Sequence, residues 1–592
     1  MTKRFHLHGH AYVDGKASGR LLASNLELSF WGGVDPQTGE VIDRHHPLSG
    51  RNLQGAILAI PGGRGSCSGS GVLLELLMND RGPTAMVFQR REDILTLGVM
   101  IAEEIFGKAI PVVTLEATDF CQLLESDGCQ VCVEGGDIFS GEPDPNQRQL
   151  LHPKTSHLSP PDAEIRLSEL DQQFLDGVYG EAARASMRIV IRMATLLGAT
   201  ELMDISQAHI DACIYTGPAS LAVAQKLRDW GGRVRVPTSL NSISVDQRRW
   251  RAQGVAVELG TPASRLAEAF TDMGATPTFT CAPYQLETAP GLGEQIAWAE
   301  SNAVVYANSV LGARTMKYPD FLDTAIALTG RAPKAGPHVE TNRRATLVVR
   351  LVDLQGRDVD DDSFYPLMGY HVGTLSSSQI PLVVGMESLA PSKDDLKAFG
   401  AAFATVSSAP MFHIQGVTPE ASSSHDVTGA DSSIRTVDIK LEDLAGAWTS
   451  LNSGSPGRQH VGLVSLGNPH FSLSEIRTLA QLCRNRTKAE GVSVMVTCGR
   501  ATHGLAEQAG LVGELESFGV QFITDTCWCM IGEPIVGSSV AAVVTNSGKY
   551  AHYGPGLTGK DFYFASLAGC VDAACGRRPA DLVPGWLARC MR

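Results

Sequence analysis

Short apolar runs alternate with amphipathic stretches through the first part of the chain. Positions 58–60, 87–88 and 110–113 have the length of buried strands, whereas positions 95–106 repeat with the period of an amphipathic helix. These runs predict a β-rich α/β unit over residues 1–140.

Residues 141–164 interrupt this pattern, because they are rich in Pro, Ser, Asp and Gln and nearly free of large apolar side chains. That composition is typical of a linker. From residue 165 to 592 helical periods and apolar runs alternate again, which predicts α/β layers with mainly parallel sheets. A part of this size exceeds a single core, so we expect two or three subdomains. The helical periods cover residues 168–179, 181–197 and 221–230, and the apolar runs cover 210–214 and 233–236.

The loop of residues 61–71 joins the strand at 58–60 to a helix predicted at 72–77, and it contains five glycines, three serines and one arginine. Glycines permit positive φ, and a helix start directs free N–H groups towards an anion. The loop lacks the phosphate-cradle motif of nucleotide hydrolases. It is either a tight turn of small residues or a site in which Arg64 grips a carboxylate and Ser66 enters the chemistry. The arginine beside three hydroxyls favours the site.

A second polar region lies at residues 280–284, 298–303 and 306–315, where Asn, Ser, Glu and Arg stand among small residues. Burying so many polar groups is costly unless each has a partner. The region is therefore a network of helix caps and turns or a functional site, and its density favours a site.

Three other patterns have simpler interpretations. His6, His8 and His10 would share one face of a strand and could bind a metal, but a solvated strand face is the commoner fate. The pair Cys129 and Cys132 has metal-binding spacing without a matching second pair, so we interpret it as structural. The acidic run at 358–362 is most simply a solvated loop.

Charge and cysteine content exclude several classes of protein. The net charge of −14 argues against non-specific binding to nucleic acid or to anionic membranes, and no apolar run reaches the length of a membrane span. Thirteen cysteines, an odd number spread thinly, indicate reduced thiols in the cytoplasm rather than a disulfide framework.

Some of these thiols lie where an iron–sulfur site assembled by tertiary structure would need them. Cys527 and Cys529 follow an apolar run, and Cys570 directly precedes a helix of small residues, whose N-terminus would stabilise a thiolate. The spacing alone does not single them out. Four other cysteines compete equally for the role: Cys483, Cys498, Cys575 and Cys590.

Several long motifs resemble the aconitase X family, and the resemblance covers nearly the whole chain. Segments 9–19, 30–36 and 61–66 resemble the small swivel subunit of that family. Five other segments resemble its large subunit, namely 237–241, 281–284, 298–315, 467–470 and 525–527. The resemblance implies an aconitase-like multidomain α/β fold, with a swivel domain at 1–140 joined through the linker to a large-subunit-like region at 165–592.

This resemblance also implies a hydro-lyase with an iron–sulfur cluster, whose iron acts as a Lewis acid on a departing hydroxyl. Members of the family include bacterial dehydratases of cis-3-hydroxy-L-proline and archaeal dehydratases of 5-phosphomevalonate. Ser66 corresponds to the base that removes the proton beside the carboxylate, with Arg64 and the following helix start stabilising its alkoxide. The implied thiolate ligands are Cys281, Cys527 and Cys570, with Cys529 in reserve. The implied substrate-binding residues are Arg64, Ser68, Ser70, Asn241, Glu300, Ser301, Asn302 and Arg314.

Asn468 departs from the archaeal pattern, which has a cysteine in Gly-Cys-Pro-His. The departure leaves the cluster type open between [2Fe–2S] and [4Fe–4S], and together with the fusion of the subunits it favours the hydroxyproline branch. We further expect Ser66 to lie opposite Cys527 and the network of residues 302–314, in a monomer or small homo-oligomer acting on a small molecule.

Three alternatives remain at this point. A dehydratase of a phosphorylated hydroxy acid would need a basic pocket, for which Arg343, Arg344 and Lys549 are candidates unless they are solvated surface residues. An iron-responsive nucleic-acid-binding protein is disfavoured by the net charge of −14. An electron-transfer protein would have no use for the polar network near residue 300.

Overall fold

The computed structural model describes residues 5–140, 165–353, 359, 361–429, 433–454 and 460–590. The predicted linker, residues 141–164, lies outside the described residues. The chain forms two compact units. The first comprises residues 1–237, 272–274 and 318–335, and the second comprises residues 238–271, 275–317 and 336–592.

The strands, in chain order, are β1 (His6–His8), β2 (His10–Val13), β3 (Lys16–Ala23), β4 (Ile57–Ile60), β5 (Ala85–Phe88), β6 (Val112–Thr114), β7 (Gln130–Glu134), β8 (Asp137–Ser140), β9 (Leu202–Asp204), β10 (Ala208–Ile210), β11 (Thr238–Leu240), β12 (Ala297–Trp298), β13 (Arg331–Pro333), β14 (Leu347–Leu351), β15 (Pro381–Val384), β16 (His413–Ile414), β17 (Thr436–Ile439), β18 (Leu463–Leu466), β19 (Ser493–Cys498), β20 (Val520–Thr524), β21 (Ala542–Thr545) and β22 (Asp561–Phe564).

The α-helices are α1 (Gly69–Met78), α2 (Ile94–Phe106), α3 (Ala117–Leu124), α4 (Glu169–Leu175), α5 (Glu181–Leu197), α6 (Pro218–Asp229), α7 (Val257–Asp272), α8 (Ser301–Tyr306), α9 (Leu322–Thr329), α10 (Phe364–Ser376), α11 (Lys393–Val406), α12 (Ser424–Thr428), α13 (Leu444–Leu451), α14 (Leu473–Cys483), α15 (Arg500–Gln508), α16 (Leu511–Phe518), α17 (Gly548–Thr558), α18 (Leu567–Ala574) and α19 (Gly585–Cys590). A π-helical turn, Ala307–Leu311, continues α8.

The first unit is built on an eight-stranded sheet in the order β1-β8-β7-β3-β4-β5-β6-β2. The inner strands β3, β4, β5 and β6 run parallel, and β7 and β8 add an antiparallel edge. Apolar residues on the inner strands, such as Ile57, Val87 and Val113, are completely buried. Continuous apolar runs suit parallel strands because both faces of the sheet are covered. The prediction of a β-rich α/β N-terminal unit is confirmed.

The three N-terminal histidines do not share one strand. Gly9 separates β1 from β2, and these two strands lie at opposite ends of the sheet order. His6 and His8 each contact Asp137 at 2.9 Å, whereas His10 stacks edge-on against Tyr12. The expectation of one continuous histidine face was therefore wrong, because the glycine N–H turns to bond the carbonyl of Gly136.

Two predicted strands differ in the structure. The strand predicted at 210–214 ends at residue 210, because the N–H groups of Asp211 and Ala212 bond the carboxylate of Asp323 instead of a neighbouring strand. Residues 233–236 form no strand. Their main-chain N–H groups bond irregular partners such as the carbonyl of Met273.

The second unit contains two parallel sheets, as the alternating pattern predicted. One has the order β16-β15-β14-β17 and the other the order β20-β19-β18-β21-β22. In the second sheet the chain moves outward from β18 to β20 and then returns to the other side of β18 with β21. The gap between β18 and β21 is a topological switch point, where α/β proteins place ligand sites at the carboxyl ends of the strands.

The expectation for the acidic run is met in part. Asp362 is exposed, as expected for the acidic run, but it also accepts the N–H of Leu567 at the start of α18 at 2.9 Å. Asp358 and Asp360 lie outside the described residues. In the part of the chain that the structure describes, every helix is too short or too polar to cross a bilayer.

Candidate active site

Loops at the carboxyl ends of β18, β20 and β21 contact one another in the second unit. Ser547 begins α17 and donates its hydroxyl to the carbonyl of Asn468, which follows β18. His470, two residues further on, contacts the carbonyl of Thr526 after β20 at 2.8 Å. The switch point of the sheet is thus lined by segments that are far apart in sequence.

His470 links the loop after β18 to the loop after β20 and to the segment of residues 280–281. A carbonyl can only accept, so Nε2 carries the proton that bonds the carbonyl of Thr526, and Nδ1 accepts from the Thr280 hydroxyl at 3.1 Å. Burial lowers the pKa of His470 to about 4, which keeps the ring neutral. Its main-chain N–H points to the sulfur of Cys281 at 3.3 Å.

Three buried thiols belong to this region, namely Cys281, Cys527 and Cys529. A side-chain hydrogen bond from Cys527 lowers the pKa of Cys529, with help from Lys549 and against the effect of burial. That same bond and burial raise the pKa of Cys527. Burial and the neighbouring Cys527 also raise the pKa of Cys281. The amide of Asn468 donates to the sulfur of Cys529 at 3.3 Å, so Asn468 contacts the thiols although it is not a cysteine.

A buried ion pair stands beside these thiols. Lys549, in the first turn of α17, contacts the carboxylate of Glu300 at 2.7 Å, and both side chains are almost completely buried. Burial alone would raise the pKa of Glu300, but Lys549 and Asn302 hold it below its usual value. Burial opposes the charge on Lys549 as well, yet Glu300, Cys529 and Cys527 raise its pKa well above the ordinary value.

The polar network around residue 300 holds the Cys281 loop in place. The Asn302 amide donates to Glu300 at 2.7 Å and to the carbonyl of Cys281 at 3.0 Å, and its oxygen accepts from the Tyr284 hydroxyl at 2.8 Å. Asn241 donates to Glu300 at 3.4 Å. The predicted network of caps and turns is therefore present, and it also holds the loop of a buried thiol. Its role as a functional site stays a prediction.

Backbone strain is concentrated in the same loops. Phe279, Glu300 and Asp525 have φ values of 41°, 63° and 68°. Such conformations are unfavourable for residues other than glycine, and they tend to persist at functional sites where surrounding contacts fix them. Asp525 is fixed by two hydrogen bonds from Arg500, at 2.8 Å and 2.7 Å.

The donor chemistry of this region fits an iron–sulfur group. Thiols are the ligands such clusters use, and a nearby ammonium group and N–H donors stabilise thiolates. Cys281, Cys527 and Cys529 meet that description, with Lys549 as the cation. Within the described residues, no group of three or more His, Cys, Asp or Glu side chains is already placed to hold a metal ion.

The other candidate cysteines whose side chains the structure describes lie elsewhere, and the side chain of Cys590 is outside the described part. Cys570 is completely buried in the apolar core around the five-stranded sheet, and its sulfur lies 4.0 Å from the carbonyl of Ala565. Cys498 and Cys483 belong to that same core, and Cys575 packs against it. Among the predicted ligands, the structure thus brings Cys529 rather than Cys570 to the neighbourhood of Cys527.

In the first unit, the loop of residues 61–70, here called the serine loop, connects β4 to α1. Gly65 has a φ of 82°, which glycine adopts without strain and which turns the chain towards Ser66. The helix begins at Gly69, three residues earlier than predicted. Ser66 is buried, and the main-chain N–H of Ser68 lies 3.3 Å from its hydroxyl oxygen.

The remaining hydroxyls of the serine loop have defined partners in the same unit. Ser66 donates to the Ser68 oxygen at 3.2 Å, and Ser68 donates to the carboxylate of Asp211 at 3.2 Å. Ser70 donates to the main-chain carbonyls of Cys67 and Asp320. Arg64 pairs with Asp43 at 2.9 Å rather than with any serine.

Two predicted binding residues have other surroundings. Arg314 pairs with the exposed carboxylate of Glu340. Ser301 is buried at the start of α8, next to Glu300. Ser66 and Cys527 belong to different units, and their predicted juxtaposition stays a prediction.

Sequence reasoning missed several residues of these sites. Asp211 lies 143 positions from Ser68, so no local pattern connects the two. Lys549 was considered only for a phosphate pocket, although a lysine in the first turn of a helix opposes the helix dipole and needs a carboxylate partner. His470 could have been found from the sequence, because this histidine directly follows a strand and a proline in the segment 467–470.

These features define a class of protein, namely a multidomain α/β protein with a thiol site at the carboxyl edge of a parallel sheet. Four aconitase X family models match consecutive stretches of the chain: the swivel domain over residues 6–138, the first domain over 164–341, the second over 345–449 and the third over 461–576. The chain belongs to the aconitase X family, which confirms the resemblance seen in its motifs.

Two relatives named as dehydratases match nearly the whole chain, and two other proteins match about two thirds of it. The cis-3-hydroxy-L-proline dehydratase of Hypocrea jecorina is 60% identical over 100% of this chain and 99% of its own length. The protein of the same name from Pseudomonas aeruginosa is 51% identical and covers 97% of each chain. The phosphomevalonate dehydratase large subunit of Methanothermobacter thermautotrophicus is 33% identical over 67% of this chain and 96% of its own. The crystal structure of aconitase X from Thermococcus kodakaraensis, in its holo-form, matches 69% of this chain and 100% of its own with a TM-score of 0.62 and 27% identity.

Proposed function

We propose that this chain is a hydro-lyase that removes water from cis-3-hydroxy-L-proline, whose enamine product rearranges to Δ1-pyrroline-2-carboxylate. The substrate assignment rests on the sequence identity of 60% and 51% with two proteins named cis-3-hydroxy-L-proline dehydratase. Both matches extend over at least 97% of the chain, so they include the serine loop and the thiol site together.

Ser66 is the proposed base that takes the proton from C2. A serine hydroxyl is a weak base unless the negative charge on its oxygen is stabilised. The main-chain N–H of Ser68, 3.3 Å from the Ser66 oxygen, supplies a donor for that charge without any side-chain movement. Arg64 is paired with Asp43, so we assign this stabilisation to the helix start rather than to the arginine.

Cys281, Cys527 and Cys529 are the residues that we propose to hold the iron–sulfur cluster. When bound, the cluster supplies a Lewis acid for the departing C3 hydroxyl. Lys549 forms a buried ion pair with Glu300 beside these thiols, and its positive charge adds to the effect of Cys527 in lowering the pKa of Cys529. Asn302 fixes the main chain of Cys281, and Asn468 donates to Cys529.

The alternative substrate, 5-phosphomevalonate, has less support. Arg343 is buried and already bonded to Glu420 and to the carbonyls of Asn308 and Pro337, so it is not available to a phosphate. Lys549 is committed to Glu300. The relative with that activity is also more distant, at 33% identity over 67% of this chain.

An anaerobic assay of iron-replete protein with the two substrates side by side tests the proposal. We expect Δ1-pyrroline-2-carboxylate from cis-3-hydroxy-L-proline and no turnover of 5-phosphomevalonate, and we expect chelation of iron to abolish activity. Turnover of the phosphorylated acid alone would overturn the substrate assignment. A full rate in iron-free protein would overturn the Lewis-acid role.

Ser66→Ala tests the base. It removes the hydroxyl without removing a large apolar contact, so the variant should fold and keep its iron. Its kcat should fall at least about a hundredfold, the low end of what a positioned base contributes. Ser70→Ala serves as the matched variant, and its effect should be milder because its hydroxyl bonds two main-chain carbonyls. Near-normal turnover of Ser66→Ala would show that another group is the base.

A further inference from the structure

The side chain of Ser68 does not make the hydrogen bond that a serine at a helix N-cap usually makes. It is the N-cap of α1, yet its side chain accepts no N–H from the helix. A serine N-cap normally accepts such a bond, which contributes about 1 kcal/mol to helix stability. Five other N-cap serines accept from their helix in the expected way, namely Ser168, Ser392, Ser472, Ser547 and Ser566, whereas Ser363 at the start of α10 does not.

The Ser68 hydroxyl instead joins two other groups in the first unit. It accepts from Ser66 at 3.2 Å and donates to the carboxylate of Asp211 at 3.2 Å. Ser66, Ser68 and Asp211 are 4%, 1% and 0% exposed, so water does not compete for these bonds. The turn that carries Asp211 is held by Asp323, whose carboxylate accepts the N–H groups of Asp211 and Ala212 at 2.6 Å and 3.2 Å.

We propose that Ser68 and Asp211 form a proton relay for Ser66, in which Asp211 receives the proton that Ser66 must release. This inference rests on the proposed role of Ser66 as the base. Neither Ser68 nor Asp211 needs to touch the substrate for this role, so both are positioning residues that act through Ser66. The relay answers a chemical need, because a neutral serine must lose its own proton in order to accept one from carbon.

The proton transfers balance along this path. As the C2–H bond breaks, its proton bonds to the Ser66 oxygen, the Ser66 proton passes to Ser68, and the Ser68 proton passes to the carboxylate of Asp211. The electron pair of the C2–H bond forms the C2=C3 bond, and the C3–O bond breaks with loss of hydroxide. The proton on Asp211 then returns along the relay and neutralises that hydroxide, so no oxidant or reductant is required.

Steady-state kinetics of the iron-replete enzyme test the relay with Asp211→Asn, Ser68→Ala and the double variant. Each single change should lower kcat at least about tenfold, a fraction of what a positioned base contributes, while KM stays within about twofold. The double variant should be no slower than the slower single variant. Once one step of the relay is lost, removing a second step cannot lower kcat further. Additive losses would overturn the proposal.

A second readout follows the C2 proton itself. Exchange of deuterium at C2 of the substrate with water, measured by NMR, should slow with kcat in both single variants. Ser68→Thr restores a hydroxyl at the same position and should recover most of the exchange rate. If Asp211→Asn fails to fold, the contrast between Ser68→Ala and Ser68→Thr decides the question. Equal exchange rates in those two variants would overturn the relay.

Glu75→Gln is the matched control, because Glu75 is another buried carboxylate of the same unit and accepts only the N–H of Ala219 among its described hydrogen bonds. Its kcat should equal that of the wild type, and a loss similar to that of Asp211→Asn would assign the effect to general packing.

Failure of the relay can be separated from failure of the proposed function. Slow Ser66→Ala with normal Asp211→Asn and Ser68→Ala rejects the relay alone, whereas normal Ser66→Ala rejects the base on which it rests.

Discussion

The serine loop of the first unit and the thiol site of the second unit are assembled in different ways. The serine loop takes its glycines, its three serines and the start of α1 from one continuous stretch, whereas Asp211 and Asp320, which accept from its hydroxyls, come from far away. The thiol site takes Cys281, Glu300, His470, Cys527 and Lys549 from five separate segments. A contiguous site is visible in a sequence, whereas a dispersed one becomes visible only when strand order brings the segments together.

The two regions also treat buried charge differently. Glu92 packs against the serine loop near Gly63, and burial together with Asp93 raises its pKa to about 7. Glu300 is equally buried, but Lys549 holds its pKa below the usual value. The difference shows that burial and a neighbouring carboxylate favour the neutral form of a carboxyl group, whereas a buried lysine partner keeps it ionised.

Cysteine variants should produce the largest contrast, because they separate thiols of the proposed site from thiols of the core. Cys281→Ala and Cys529→Ala each remove a proposed ligand. The iron affinity should fall by more than about a hundredfold, because losing a residue that only supports a ligand already lowers metal affinity by up to about that factor. Iron and sulfide analysis with visible absorption measures this. Cys570→Ala is the control and should keep its iron, since its sulfur lies in an apolar core. Loss of iron in Cys570→Ala alone would restore Cys570 as a ligand in place of Cys529.

Breaking the ion pair of the second unit should have the next largest effect. Glu300→Gln leaves the Lys549 ammonium buried without its carboxylate, which should cost about 3–5 kcal/mol of unfolding free energy. The double variant Glu300→Gln/Lys549→Met removes both charges and should recover a large part of that loss. Urea unfolding followed by tryptophan fluorescence measures it, because Trp298 and Trp528 are buried in this unit. A double variant as unstable as the single one would show that the charges do not depend on each other.

The pH dependence of the first unit should give the smallest effect. Because the pKa of Glu92 is raised to about 7 from 4.5, its favourable contribution is complete below pH 4.5 and is lost as the pH rises through 7. Glu92→Gln cannot ionise and keeps an acceptor for the N–H groups of α2. The stability of this variant relative to wild type should therefore increase by up to about 3 kcal/mol between pH 4.5 and 8. A difference that does not change with pH would show that folding does not shift the pKa of Glu92.

Much of the fold was predictable from the sequence. The apolar runs at 58–60, 87–88 and 110–113 correspond to β4, β5 and β6, and the helical periods at 95–106 and 181–197 correspond to α2 and α5. Periodicity identifies such elements because burial on one or both faces is a local requirement of each strand or helix. The strand predicted at 233–236 failed because the N–H groups of Val234 and Arg235 bond the carbonyls of Met273 and Ala327 instead of a neighbouring strand.

The serine loop was likewise visible in the sequence, since its glycines, its hydroxyls and the helix start are neighbours in the chain. The aconitase X motifs indicated the family and the fused arrangement of its domains for the same reason. Tertiary structure alone decided that Ser68 bonds Asp211, that Lys549 pairs with Glu300, and that Cys529 rather than Cys570 stands beside Cys527. These pairings depend on strand order and on the desolvation that forces each buried charge and hydroxyl to find a partner, and neither is a property of any short stretch of sequence.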